Sequence, residues 1–257
     1  MQPIKIALQA ARAADQLLLK NFKKLHQSDV RAKSAHELVT ATDKAANALI
    51  QKILKRHFPN IGILSEEGHN RKSKLRWIID PLDGTTNFVL HIPFFGVSIA
   101  LAEGSEILFG IITCPATNEI FIGAKNQGAY KNPKPLKLNP VRNLKQTIIG
   151  YGYSHSARSL HASLALAEKL SYRVRAVRHS GSTALDMAYL AAGRLDAVII
   201  AGPVNLWDVA AGMIIVKEAG GEILDQKGQP WRSKASDLYA GRPKLLNNLR
   251  KYAKARI

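Results

Sequence analysis

One cysteine, Cys114, in 257 residues leaves no partner for an internal disulfide. That points to a reducing compartment, and the cytoplasm is the expected location. Long apolar runs are also missing: nothing approaches the roughly 20 residues a membrane helix needs. The first residues are broken by a charge every few positions, and no small-residue cleavage site follows. They read as an amphipathic helix and not as a signal peptide. Acidic residues are scarce, 19 against 37 Lys and Arg, for a net charge of +18. Aromatics make up 7% and are not interleaved with the basic residues, as a stacking platform for single strands requires. Nucleic-acid binding therefore stays open but unsupported by pattern.

The charge is uneven. Residues 1–76, 131–180 and 231–257 carry net charges of +9, +9 and +7, while 77–130 and 181–230 carry −4 and −3. A basic body around an acidic pocket would draw anionic substrates inward. The plainer reading is solubility or a basic proteome.

Periodicity predicts a helix over 3–26, with Pro3 suited to its first turn and Ile4, Ala7, Leu8, Ala11, Ala14, Leu18 and Phe22 on one face. A polar connection through Lys33 and Ser34 leads to a second helix over 43–57, stopped by Pro59. Short apolar runs follow at Ile61–Leu64, Trp77–Ile79, Phe94–Leu101, Ile107–Thr113 and Glu119–Gly123, spaced like an antiparallel meander. From about 145 the texture alternates: strand 146–151, helix 158–170, strand 172–178, helix 182–192, strand 195–200 and helix 207–219. Gly220-Gly221 ends that last helix. The reading is an α+β half over 1–135 joined to an α/β half over 136–257, with the boundary in the Pro-rich stretch 132–140.

The most informative segment is Trp77-Ile78-Ile79-Asp80-Pro81-Leu82-Asp83-Gly84-Thr85-Thr86-Asn87-Phe88. A carboxylate at the end of an apolar strand is costly unless it is paired or binds a metal. Pro81 restricts the backbone so that Asp80 and Asp83 can converge. Gly84 allows a sharp turn into a short helix, whose first N–H groups suit phosphate oxygens. The competing reading is a solvated Asp-Gly turn. Two carboxylates are too few to hold two magnesium ions, which prefer oxygen ligands in near-octahedral shells. Glu66 or Glu67 after the strand 61–64, Asp208 opening the helix 207–219, and Asp43 at the second helix could contribute. Each could equally be a loop residue or a helix cap.

Four motifs then stand in order: Val39-Thr40-Ala41-Thr42-Asp43, Ser65-Glu66-Glu67-Gly68, the Asp80 to Phe88 run, and Trp207-Asp208-Val209-Ala210-Ala211-Gly212 with Glu218-Ala219-Gly220-Gly221. Together they resemble the inositol monophosphatase family over essentially the whole chain. The resemblance implies a layered αβαβα sandwich, a homodimer, and hydrolysis of inositol 1-phosphate or a related polyol phosphate. It implies magnesium (Mg2+) held by Glu66, Asp80, the Leu82 carbonyl, Asp83 and Asp208, with lithium inhibition. Glu66 and the Asp43–Thr85 pair would position a metal-activated water, and the N–H groups of Gly84 and Thr85 would take phosphate oxygens.

Two positions depart from the family. Ala201 stands where a glutamate usually binds substrate hydroxyls, and Asn47 stands where glutamate often follows Asp43 by four, with a small structural effect expected. Gly181-Ser182 matches a family pair near the substrate. Phosphatases for fructose 1,6-bisphosphate or 3′-phosphoadenosine 5′-phosphate are the enzymatic alternatives, although nucleotide-acting relatives usually carry Lys-Glu where Thr86-Asn87 stands here. A regulator that binds RNA or a transcription complex through its basic surface is the non-enzymatic one. His155, His161 and His179 lack a shared metal-binding face and read as surface or packing residues. Cys114 reads as a small buried hydrophobe, and Trp207 as packing behind Asp208.

Overall fold

The structure, a computed structural model, describes residues 2–22, 24, 30–32, 38–68, 73–140, 143–154, 156–232 and 237–254. The connection through Lys33 and Ser34 and the residue His155 lie outside that set.

Two helices form the first layer. α1 (Gln2–Phe22) buries Ala7, Ala11, Ala14, Leu18 and Phe22 of its predicted face together with Ile6 and Ala10, while Ile4 and Leu8 of that face are only half-buried. α2 (Ala41–His57) starts two residues before the predicted 43, because Thr40 caps it. Between them β1 (Val30–Ala32) and β2 (Leu38–Thr40) pair as a short antiparallel ribbon.

A seven-stranded sheet is the second layer, in the order β3 to β9: Gly62–Ser65, Leu75–Asp83, Gly96–Glu103, Glu106–Cys114, Glu119–Ala124, Gly128–Lys131 and Lys134–Pro135. The expected meander holds from β4 onward, but β3 pairs parallel with β4. The strand expected at Trp77–Ile79 is longer and runs through Asp80 and Pro81 to Asp83.

The short helix α3 (Thr85–Val89) follows at once. After β9 come β10 (Ile148–Tyr153), α4 (Ala157–Ser171), β11 (Ala176–Arg178), α5 (Thr183–Ala191), β12 (Ala197–Ala201), α6 (Leu206–Glu218), β13 (Glu222–Leu224), β14 (Leu238–Gly241) and α7 (Pro243–Lys254). β10 to β14 make a five-stranded mixed sheet in the order β11-β10-β12-β14-β13. The strand expected at 146–151 begins at Ile148 because Leu144–Gln146 is a 3-10 turn, and the one at 172–178 shortens because α4 runs to Ser171. The helix ending at Gly220-Gly221 is not the last; α7 follows it.

The side chains sort these elements into five layers. Trp77, Ile79, Val97, Ile99 and Ile111 face α1 and α2, whereas Ile78, Ala100 and Ile112 face α5 and α6. On the second sheet Val198, Ile200, Leu238 and Ala240 meet α5 and α6 from the other side. Ala197, Ile199 and Tyr239 meet Leu166, Leu170, Leu245 and Leu249 of α4 and α7. This alternation is the period-2 signature of strands covered on both faces. The result is an αβαβα sandwich. α6 can lie against β6 because Gly110 has no side chain: a Cβ there would sit 2.5 Å from the Ala211 Cα.

Candidate active site

Asp80 and Asp83 are three residues apart on one strand, so a regular β4 would point them to opposite faces. The register against β5 removes the problem. Asp80 lies opposite Ser98 and Asp83 opposite Gly96, three steps on one strand against two on the other. That bulge inserts one residue and turns both carboxylates to the same side. Both are buried, at 2% and 8% exposure. Gly84, left-handed at φ 88°, then turns the chain into α3.

Each carboxylate has its own support. The Leu82 N–H donates to Asp80 Oδ1 at 3.0 Å. Asp83 Oδ2 accepts from the Ser182 hydroxyl and from the Ala184 N–H at 2.8 Å, so the start of α5 points at it. Asp208, in the first turn of α6, accepts from both the backbone and the side chain of Asn205. Asp43 has two separate tasks. Its Oδ2 accepts from the Thr40 N–H at 2.8 Å and the Thr40 hydroxyl at 2.5 Å, closing a capping box on α2. Its Oδ1 lies 3.1 Å from the Thr85 hydroxyl, which is also 3.0 Å from the Leu82 carbonyl.

A cleft of about 890 Å³ opens over these groups. Glu66, Asp80, Leu82, Asp83, Gly84, Thr85, Gly181, Ser182 and Asp208 all line it. Asp43 stands behind Thr85, outside the lining. Ala201 does not line it either: it ends β12, buried, with its carbonyl taken by the Ser154 N–H at 3.0 Å. Ser182 reaches the cleft, but its hydroxyl donates to Asp83 and accepts from the Leu185 N–H at 3.3 Å. Trp207 lines the cleft and also packs against the core, and its carbonyl lies 3.4 Å from the Ser98 hydroxyl. Cys114 is fully buried among apolar neighbours, as read.

The acidic groups act on one another. Burial, then the charges of Glu66, Asp83 and Asp208, hold Asp80 well above the usual carboxylate range. Burial pushes Asp83 up to about 6, against the bonds from Ser182 and Ala184. Asp208 is held well above its ordinary value by burial and then by Asp83 and Glu66. Burial raises Asp43 as well. Among the described residues no three acidic, histidine or cysteine side chains close a metal site as they stand. The four carboxylates share a cleft and a field, and not a finished ligand shell. Their chemistry still fits a hard divalent cation: the donors are oxygens only, several are desolvated, and the charges of Glu66, Asp83 and Asp208 destabilise that of Asp80.

Three residues that matter here were not expected to. Asn47, 5% exposed, accepts from the Ser65 hydroxyl at 2.8 Å and from Gln51 at 3.1 Å, and its amide donates to the Glu67 carbonyl. It therefore grips the chain on both sides of Glu66, which is more than the small effect expected. Asn87 donates to the Phe94 carbonyl at 2.7 Å and the Ser180 carbonyl at 2.9 Å, tying α3 to the loop before α5. Asp186 lines the cleft, and burial raises it to about 7. An acidic residue inside the otherwise apolar helix 183–191 was the one sequence signal for it.

The comparisons with known proteins agree with this architecture. The inositol monophosphatase family model matches residues 2–256. A Xylella fastidiosa protein named Nus factor SuhB is 40% identical over 227 residues, 88% of this chain and 82% of that one. An inositol-1-monophosphatase of Mesorhizobium japonicum is 37% identical over 229 residues, 88% of this chain and 86% of that one. The crystal structure of the extragenic suppressor protein SuhB from Bartonella henselae superimposes with a TM-score of 0.94, at 32% identity over 100% of both chains. A family match along nearly the full length, joined to the same fold in a solved relative, shows that the chain belongs to the inositol monophosphatase family.

Proposed function

We propose that this chain is a magnesium-dependent phosphatase for a small phosphate monoester. One observation supports the reading: Glu66, Asp80, Asp83 and Asp208, drawn from three separate segments, line one cleft, and the charges of Glu66 and Asp83 raise the affinity of Asp80 and Asp208 for positive charge. Glu66, Asp80, the Leu82 carbonyl, Asp83 and Asp208 would hold magnesium. When bound, the metal supplies charge neutralisation for the phosphate and a lowered pKa for a coordinated water.

The protein's own groups do the rest. The Thr85 hydroxyl, 3.1 Å from Asp43 Oδ1, can pass a water's proton to a carboxylate that burial has made readier to accept one. Glu66, which lines the same cleft, would help to position that water. The turn at Gly84 leaves the first N–H groups of α3 toward the cleft, where phosphate oxygens would sit. Ser182 holds Asp83 in place, and Gly181 packs on Asn87 beside it. Inositol 1-phosphate is the reference substrate of the resemblance, but position 201 offers no acceptor for its hydroxyls.

A homodimer and a cytoplasmic location belong to the same proposal. Among the described residues no helix is long and apolar enough to cross a membrane. The deciding assay is phosphate release with and without magnesium, across inositol, sugar and nucleotide monophosphates. Turnover must depend on magnesium and vanish in Asp80→Asn; metal-independent release, or an Asp80→Asn protein as fast as wild type, would sink the reading.

A second reading is favoured by the net charge of +18 and by relatives named Nus factor. In it the basic exterior docks RNA or a transcription complex. RNA affinity falling steeply with salt in a protein without turnover would favour it.

A further inference from the structure

Asp83 and Ser182 lie 99 residues apart in the chain, yet the Ser182 hydroxyl reaches the Asp83 carboxylate. That bond needs the two segments held at a fixed distance, and Asn87 of α3 is placed to hold them. Its amide nitrogen has two protons, and both are committed. One goes to the Phe94 carbonyl at 2.7 Å and the other to the Ser180 carbonyl at 2.9 Å. The Phe94 carbonyl lies against the Gly84 turn, where a Cβ would come within 3.0 Å of it. The Ser180 carbonyl opens the turn that leads into α5.

These contacts close a ring. The chain runs from Asp83 through Gly84 to Asn87 and crosses to Ser180 by the amide bond. It then turns at Gly181 to Ser182 and returns to Asp83 through the Ser182 hydroxyl. Gly181 permits the crossing: its φ is 80°, and a Cβ there would lie 3.1 Å from both terminal atoms of the Asn87 amide. Ser180 is also held from α5 by a side-chain bond to Asp186. The Phe94 ring meets Tyr189 of α5 edge-on, centroids 5.2 Å apart, a second tie between the same segments. Residues 83–87 and 180–183 all line the cleft.

Such a ring transmits displacement. Asn87 is 7% exposed, so water replaces little of what its two donors supply. Without them the Ser180 turn can move away from α3 and take the Ser182 hydroxyl and the Ala184 N–H off Asp83. The same loss loosens α3, whose first N–H groups the phosphatase reading assigns to phosphate oxygens. With both amide protons used, Asn87 has none to give a ligand. It acts through other groups.

We propose that Asn87 is a positioning residue that clasps α3 to the Ser180–Ser182 turn and so holds Asp83 and the phosphate-binding turn in one geometry. The proposal rests on the phosphatase reading and deepens it.

The test is a double-mutant cycle. Asn87→Ala should lower kcat for magnesium-dependent phosphate release about 10–100-fold, the range for a group that orients a metal ligand. KM should stay within about threefold, since no substrate contact is removed. Ser182→Ala should act similarly, and the double variant should be little slower than the slower single one, because either change opens the same ring. Asn47, whose described partners are Ser65, Gln51 and Glu67, is outside the ring. The factors of Asn87→Ala and Asn47→Ala should therefore multiply. A readout without turnover is calorimetric titration of magnesium into the substrate-free protein, with a melting curve confirming the fold at the temperature used. Asn87→Ala should bind about tenfold more weakly than wild type. If that variant does not fold, Gly181→Ala drives a methyl against the amide and is read the same way.

If wild type binds magnesium but releases no phosphate, the phosphatase reading falls and the titration still judges the clasp. Factors that multiply in the Asn87–Ser182 cycle, a loss carried by KM alone, or unchanged magnesium affinity in a folded variant would overturn the clasp. A wild type that binds no magnesium overturns both.

Discussion

Replacing Asn47 by alanine tests whether a residue outside the cleft sets the position of Glu66. The change removes three hydrogen bonds, to Ser65, Gln51 and the Glu67 carbonyl. Each contributes about 1 kcal/mol net, and more when the site is dry. Asn47 and Ser65 are 5% and 1% exposed, so water replaces little of the loss. The expected destabilisation is about 3 kcal/mol, or roughly a 6–12 °C lower Tm for a chain of this size. The catalytic effect is separate. Ser65 and Glu67 flank Glu66, and a displacement of about 1 Å there can cost roughly a hundredfold in rate. Calorimetry gives the first quantity. Magnesium-dependent phosphate release at 20 °C, well below either Tm, gives the second. Asn47→Asp keeps the acceptor for Ser65 and loses the donor to Glu67, so it should fall between wild type and Asn47→Ala. A Tm within 2 °C of wild type, or kcat within twofold, would refute the positioning role.

The Asp15 carboxylate, beneath β6 and bonded by the Thr113 hydroxyl at 2.6 Å, is pushed by burial from its ordinary 3.8 to about 6. A raised folded-state pKa means the charged form costs stability. The cost is absent below about pH 4, grows through pH 4–6 and is complete above, so Asp15→Asn should match wild type near pH 4 and exceed it by at most roughly 3 kcal/mol at pH 7 in urea titrations. An equal gap at both pH values would contradict this. Ser182→Ala removes the bond to Asp83 and the cap of α5; it should cost about 1–2 kcal/mol in melting experiments and roughly 10–100-fold in turnover, while Ser182→Thr restores both. Gly110→Ala places a methyl against the α6 backbone and should destabilise by about 1–3 kcal/mol in urea titrations. A neutral Gly110→Ala would mean α6 does not need that close approach.

What could be read from sequence was whatever repeats locally. α1 and α2 followed from apolar spacing, and the strands of the first sheet from short runs between turn residues. α7 was readable too, since Pro243 suits a first turn and Leu245, Leu246, Leu249 and Tyr252 keep a helical spacing, but its Lys- and Asn-rich surroundings masked it. β13 and β14 are three and four residues long, below what periodicity can register. The site was legible in residue identity and not in geometry. Pro81 alone does not bring Asp80 and Asp83 together; the register shift against Ser98 and Gly96 does, and it depends on the partner strand. Asn47, Ser182 and Asn87 act through partners 18 to 99 residues away, so their own neighbourhoods mark the residues and not what they bond.

The supports under the carboxylates explain how the fold tolerates so much buried negative charge. An ionised carboxylate has about four acceptor positions. The described bonds to Asp80, Asp83 and Asp208 occupy one or a few each, all supplied from the strand, turn or helix start on which that residue or its partner sits. Each bond restrains a rotamer, and all three residues line the cleft. Full satisfaction by protein donors would make a stable and inert salt-free network; leaving it short keeps the group costly and raises its pKa. A hard cation would relieve the same shortage, since it takes oxygen ligands. Seen this way, the net charge of +18 and the acidic cleft are parts of one arrangement. The exterior favours the approach of an anion, and among the described residues the cleft lining holds no lysine or arginine with which to neutralise it.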